Sequence, residues 1–184
     1  MGKATQDLRK EHKAILHVLH ILDKMMQTDG SKAETLLHYY NEMVYFLKIF
    51  VDKCHHGKEE NYLFKELVIK GIQNEGGPVG VMLQEHVQGR DYIEQMSQSL
   101  DNKDLSGFNN TAMQYRDLLR RHIDKENNVL FMMADNLIDE QAQSLLFEQF
   151  EQHEESVIGD GVHEKLHAMI DTWAEAFGVE NNDN

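Results

Sequence analysis

Two stretches of this chain share one pattern: His55-His56-Gly57-Lys58-Glu59-Glu60-Asn61-Tyr62-Leu63-Phe64 and His122-Ile123-Asp124-Lys125-Glu126-Asn127-Asn128-Val129-Leu130-Phe131. Both read His-x-x-x-Glu-x-x-x-Leu-Phe, which aligns His55 with His122 and Glu59 with Glu126. A spacing of four puts the His and the Glu one turn apart on the same side of a helix, with about 5–6 Å between β-carbons. Such a pair chelates one metal ion or bridges two. In a chain with 11 histidines and 32 acidic residues, one such pair means little. The face on which it sits decides its meaning.

Working outward from these stretches, the helical period recurs along the chain. Leu8, Ile15, Leu19, Leu22 and Met26 mark a first helix over about 4–27. Thr28-Asp29-Gly30-Ser31 is a turn, and Ser31 with Glu34 makes a capping box for the next helix. That helix runs over about 32–70, with Val44, Leu47, Val51, Leu63 and Leu67 inward, and stops at Gly71. The loop Asn74-Glu75-Gly76-Gly77-Pro78 places Pro78 in the first turn of a third helix. The third helix runs to about Leu100 with Val79, Leu83, Ile93 and Leu100 inward. After Asp101-Asn102-Lys103-Asp104, a fourth runs to about 135, with Phe108, Ala112, Tyr115, Leu119, Val129 and Met133 on one face. A shorter helix over about Glu140 to Glu155, a Gly159-Asp160-Gly161 break and a last helix to about Phe177 complete the chain. Four long amphipathic helices joined by short loops predict an all-α, antiparallel four-helix bundle with extra C-terminal helices. The expected organisation is a single domain over 1–184, with the bundle at about 4–135 and a helical appendage at about 139–178.

Composition narrows the function classes. The chain has 184 residues, 27% charged and 41% hydrophobic, with one proline. This suits one folded domain. A formal net charge of −14 argues against nucleic acid and against an anionic membrane surface as partners. No apolar run reaches the length of a membrane span, and the N-terminal residues lack a signal-peptide core. The single cysteine, Cys54, rules out a disulfide within the chain and fits a reducing compartment. The sequence is therefore read as cytoplasmic.

The buried stripes carry the chemistry. His122 falls in line with Tyr115, Leu119 and Val129, and Glu126 follows one turn on. His55 continues the Leu47–Val51 stripe, with Glu59 after it. His12 lies between Leu8 and Ile15, and His86 between Leu83 and Ile93. All four bundle helices point a histidine inward, and two add a carboxylate. A lone inward histidine is more often a satisfied core residue than a ligand. Two buried carboxylates beside four histidines are another matter, because each uncompensated charge costs several kcal/mol and a cation removes that cost. Mixed imidazole and carboxylate without thiolate suits iron or manganese rather than zinc. Two bridging glutamates and four histidines leave positions on two ions for an oxo or hydroxo bridge and an exogenous ligand. The expected cofactor is an oxo- or hydroxo-bridged pair of iron ions, open to dioxygen, nitric oxide or peroxide.

At these residues the chain resembles haemerythrin-like proteins with the HHE cation-binding domain. The resemblance spans roughly residues 5–135. It rests on Glu11-His12, on Cys54 through Glu60 with Leu63-Phe64, on Gly76-Gly77-Pro78 through Glu85-His86, and on His122 through Phe131. It implies His12, His55, Glu59, His86, His122 and Glu126 as ligands, the same six. The chain departs from the oxygen carriers. They place a second histidine four residues after the one on helix three, where this sequence has Arg90. They end with a more distant Asp where it has Glu126. The four-His, two-Glu set is closer to iron-cluster repair proteins. Those usually bear a small N-terminal domain with paired cysteines, which this chain lacks. The family's Leu-Phe-Pro reads here Leu-Phe-Lys and Leu-Phe-Met.

Other residues are weighed against the same pattern. His56 and Glu60 have the His-x-x-x-Glu spacing, but they share a face with Lys48 and Asp52, so they are expected off the site. His17, His20 and His38 suit the surface or the bundle edge, and Cys54 a packed thiol. Tyr115 and Tyr62 read first as core, with a hydrogen bond to a metal-bound ligand as the alternative. Two glycines before His163-Glu164 leave two readings: a surface histidine after a turn, or a seventh ligand or lid residue folded back onto the bundle. The absent second histidine on helix three leaves an open position on one iron, beside which Arg90 either stabilises an anionic ligand or snorkels to solvent. Two classes of function stay open. One is a non-haem di-iron protein that binds and reacts with dioxygen, nitric oxide or peroxide, in sensing or in detoxification as an oxidoreductase served by a redox partner. The alternative is reversible oxygen or iron binding, or iron donation to damaged iron–sulfur clusters, without turnover. Iron storage fits less well, since no cage surface is evident.

Overall fold

The computed structural model describes residues 1–28, 33–159 and 161–180, except for the side chain of His163. The Ser31 capping box, Asp160 and the lid or ligand reading of His163 lie outside the described residues. Within them the chain is all-helical, without a strand, and no helix is long and apolar enough to cross a membrane. Helix α1 is Lys3–Met26 and α2 covers 33–69; α3 is Pro78–Asp101 and α4 covers 105–137; α5 is Glu140–Ile158 and α6 is Val162–Phe177.

Local chemistry sets the ends. Pro78 occupies the first turn of α3, where its missing N–H is no loss. Asp104 caps α4 by accepting from Gly107 N at 2.9 Å, and Asp139 caps α5 by accepting from Ala142 N at 2.9 Å. Gly2 N and Thr5 Oγ1 both donate to Asp135 Oδ1, at 2.8 and 2.5 Å, so the start of α1 is tied to the end of α4.

Two of the long helices are not α throughout. α2 is α-helical over Ala33–Phe46, π-helical over Leu47–His56 and Glu59–Leu63, and α-helical again over Phe64–Ile69. α4 turns π over Glu126–Leu130. A π turn bonds residue i to i+5 and so takes in one more residue than an α turn. The rotation between successive side chains is correspondingly smaller, and a wheel drawn at the α period drifts off the true face. Val129 shows the drift: expected inward, it is 46% exposed, and Leu130 and Phe131 face the core instead.

The core falls in two apolar halves. One gathers Ile15, Leu19, Tyr40, Phe46, Val51, Ile93, Phe108 and Leu119. The other gathers Ala4, Leu8, Leu63, Phe64, Val79, Met82, Leu130 and Phe131. α5 and α6 finish these halves: Leu146 and Phe150 of α5 enter the second, and Leu166, Ile170 and Trp173 of α6 enter the first. Along each of α1–α4, the residues between the two apolar groups are the histidines and glutamates picked out above. The fold therefore clamps one polar layer between two hydrophobic ones.

Candidate metal centre

The structure brings all six sequence-predicted residues into that layer and adds a seventh. Ligand atoms of His12, His55, Glu59 and Glu126 lie within 4.8 Å of one another, and so do those of His56, Glu59, His86 and His122. Glu59 belongs to both groups. The seven side chains are between 0% and 3% exposed. Contacts across the layer are close: His12 Nε2 to Glu126 Oε2 is 3.3 Å, His122 Nε2 to the same oxygen 3.2 Å, His86 Nε2 to Glu59 Oε2 3.4 Å and His55 Nε2 to Glu59 Oε1 3.6 Å.

His56 overturns the expectation that it lies on a polar face. Its ring stacks on His86 with centroids 3.9 Å apart and meets His122 edge-on at 5.6 Å. The π turns are the cause, because two neighbouring side chains separated by the smaller rotation both face the interior. The same finding brings a further imidazole beside His86 and His122. Arg90 itself neither points into the layer nor trails into solvent. Its Nε donates to Asp52 Oδ1 at 2.7 Å and its Nη2 to Glu60 Oε1 at 2.6 Å.

Around the layer runs a ring of outer partners. His55 Nδ1 on α2 donates to Glu11 Oε2 on α1 (2.7 Å), His86 Nδ1 on α3 to Glu60 Oε1 on α2 (2.8 Å), His122 Nδ1 on α4 to Glu85 Oε2 on α3 (3.0 Å), and His12 Nδ1 on α1 to Asn127 Oδ1 on α4 (2.9 Å). Each helix supplies the partner for an inward histidine on its neighbour, and the fourth closes onto the first. A carboxylate only accepts, so Nδ1 carries a proton, and whenever the ring is neutral Nε2 is left with the lone pair that a metal-binding imidazole requires. Sequence reasoning assigned these residues no partner role, although all four fall in the stretches that carry the resemblance and each stands next to a ligand candidate: Glu11 before His12, Glu60 after Glu59, Glu85 before His86, Asn127 after Glu126. His56 has no such hydrogen bond; its Nδ1 lies 3.7 Å from Asp52.

Packed together away from water, the groups of the layer are pushed far from their ordinary ionisation. Burial and the charge of Glu126 push the Glu59 carboxyl well above its ordinary value. Burial also works against ionised Glu126, but His122 and His12 outweigh it and hold that carboxyl well below. His122 is raised to about 9, because Glu126 and Glu85 overcome its burial. Burial and the neighbouring imidazoles depress His55, and they bring His56 down to about 3. Within the layer, eight buried atoms have no hydrogen-bond partner: His12 Nε2, His55 Nε2, both nitrogens of His56, and all four oxygens of Glu59 and Glu126. Buried polar atoms are rarely left so, and these eight converge on one place. Hard-to-intermediate cations fit these orphaned donors, with imidazole and carboxylate ligands and no thiolate. Cys54 is buried, and its thiol is pushed up to about 12 by burial and by Glu11, so it is not a nucleophile.

Away from the centre, Tyr115 is buried with its hydroxyl lacking a hydrogen-bond partner, while Tyr62 packs edge-on against Phe150 and His153 of α5. His17 and His20 lie at or near the surface of α1, and His38 is largely exposed. A cleft of about 630 Å³ opens beside the layer, lined by Asp7, Glu11, Lys58, Glu151 and Glu154 among others. It reaches the outer partner Glu11 but none of the inward histidines.

Residues 3–134 match the family model described as Hemerythrin HHE cation binding domain. No curated protein and no solved structure matches the chain.

Proposed function

The chain belongs to the hemerythrin family of HHE cation-binding domains, and on that premise we propose that it is a non-haem di-iron protein that binds and reacts with dioxygen, nitric oxide or peroxide. In this reading α1–α4 form the family's antiparallel four-helix bundle, and His12, His55, Glu59, His86, His122 and Glu126 are ligands, joined by His56. The observation that carries it is the set of eight orphaned donor atoms, buried and convergent, with the Nδ1 of His12, His55, His86 and His122 each fixed by an outer partner.

The residues divide the work. Glu59, common to both groups, would be shared between two ions. His12, His55 and Glu126 would hold one, and His56, His86 and His122 the other. Glu11, Glu60, Glu85 and Asn127 hold the Nδ1 protons and with them the ring orientations. Glu59 keeps a proton while no cation is present and releases it when one binds. The apolar halves above and below keep bulk water from the layer. When bound, ferrous iron supplies the electrons that dioxygen, nitric oxide or peroxide takes up. Burial of all seven side chains favours a retained centre over one that hands its iron on, since release would require the helices to part.

The test is metal analysis of protein purified without oxygen, followed by titration with each of the three small molecules. Two irons per chain and a spectral response to one of them are expected. One metal per chain, or stoichiometric zinc from iron-replete cells, would overturn the proposal.

A further inference from the structure

α5 lies beyond the matched residues 3–134, yet it packs on the stretch of α2 that carries three of the seven inward side chains. Two adjacent residues of α5 make polar contacts there. The His153 ring lies directly over Gly57, where an added Cβ would stand 2.4 Å from His153 Nε2. The same Nε2 donates to the backbone oxygen of Lys53 at 2.9 Å. Glu154 accepts from Lys58 Nζ at 2.8 Å.

The Lys53 contact is tied to the π geometry. In an α-helix the Gly57 N–H would bond the carbonyl four residues back, which is Lys53 O. Here it bonds Asp52 O and Cys54 O and passes over Lys53 O. His153 supplies a donor to the carbonyl that the shifted register bypasses. A return to α geometry would bring Gly57 N–H back to Lys53 O and turn the smaller π rotation into the larger α one. One of the two neighbouring histidines would then leave the layer. Lys58 extends the contact inward: it is 1% exposed, bonded to Glu154 and to Glu11 Oε1 at 2.6 Å, and Glu11 holds His55. Its charge is secured against burial by Glu11 and Asp7.

We propose that His153 and Glu154 are positioning residues, and that α5 acts as a register lock holding residues 53–62 in the π geometry that turns His55 and His56 inward together. The proposal rests on the di-iron reading for its metal readout, but not for its structural one.

The test uses the full chain with four substitutions: His153→Ala, His153→Gln, Gly57→Ala and Glu154→Gln. Gly57 has φ −62°, so alanine suits its backbone, and alanine is the better helix former. Any loss from Gly57→Ala is therefore traceable to displacement of the His153 ring. Two quantities are read: amide hydrogen exchange of 53–62 in chelator-treated protein, and ferrous-iron affinity by chelator competition. The lock predicts faster exchange confined to 53–62, and affinity lowered about 10- to 100-fold, the range for loss of an outer-shell partner. These should appear in His153→Ala and Gly57→Ala, more weakly in Glu154→Gln, while His153→Gln, which keeps a donor, stays with the parent. Unchanged exchange at 53–62 in both His153→Ala and Gly57→Ala would overturn the lock. So would equal loss in the Ala and Gln variants, or exchange rising alike through 105–125, which would make α5 ordinary packing. If the parent itself binds no ferrous iron, the di-iron reading fails, and the exchange data still decide the lock.

Discussion

Replacing His56 by leucine should raise stability without metal and shrink the stabilisation that metal adds. The side chain is 3% exposed and neither ring nitrogen has a hydrogen-bond partner. Leucine fills similar space, so the cavity term is small. Each unsatisfied buried polar group costs about 1–3 kcal/mol, and leucine removes two of them. At the low end the metal-free variant is more stable by about 2 kcal/mol. For a chain of this size each kcal/mol moves Tm by about 2–4 °C, which predicts a rise of about 4–8 °C. With ferrous iron the sign is set by linkage. Every tenfold loss of affinity removes about 1.4 kcal/mol of ligand stabilisation, so the metal-induced rise in Tm shrinks by about 3–6 °C per decade. The assay is thermal unfolding of parent and variant, each with chelator and with saturating ferrous iron under anaerobic conditions, beside a metal count. A fall in the metal-free Tm together with an unchanged metal-induced rise would refute the reasoning, and His56 would then be packing alone.

Stability of the chelated protein should peak near neutral pH. His122, raised to about 9 from an ordinary 6.5, contributes fully below 6.5, and that contribution is lost as pH climbs through 9. His56, held at about 3, contributes fully above 6.5, and that contribution is lost as pH falls from 6.5 toward 3. Urea unfolding from pH 5 to 9 measures both limbs, and the alkaline loss should vanish when metal is bound. Asn127→Asp would give His12 the carboxylate partner that the other three ringed histidines have; tighter ferrous-iron binding by chelator competition and a lower metal-free Tm are expected. Arg90→Met should weaken iron binding modestly by loosening Glu60, with less than about 1 kcal/mol change in stability, since its ion pairs are part-exposed. A loss of iron from Arg90→Met equal to that of a ligand variant would show that Arg90 reaches the centre itself.

Much of the fold was legible because the ligand candidates occupy the same helical register as leucines and valines. His12 between Leu8 and Ile15, and His86 between Leu83 and Ile93, can only face the interior if those neighbours do. The helix ends were legible from their punctuation, with Pro78 and Asp104 as clear instances. The π turns were not. A run such as Phe50 through Leu63 keeps an acceptable apolar stripe at the α period, and no single residue marks where the hydrogen bonds shift from i+4 to i+5. That hidden shift produced the misplacement of both His56 and Val129. The outer ring was hidden for a different reason. Glu11, Glu60, Glu85 and Asn127 each bond a histidine on another helix, and such partnerships exist only once the helices are assembled.

The ring of Nδ1 bonds works like a hoop around staves. It joins α1 to α2, α2 to α3, α3 to α4 and α4 back to α1 at a single height, independent of the loops that string the helices together. Those loops therefore carry little of the alignment at that height. The segment between Ile69 and Pro78 could be cut or lengthened with the four histidines still facing one another, because the hoop, not the covalent connection, sets their mutual heading. A hoop also has no weakest end. Slackening any one of its four joints frees two helices at once, so damage in the outer layer should spread around the circumference before it spreads along a helix.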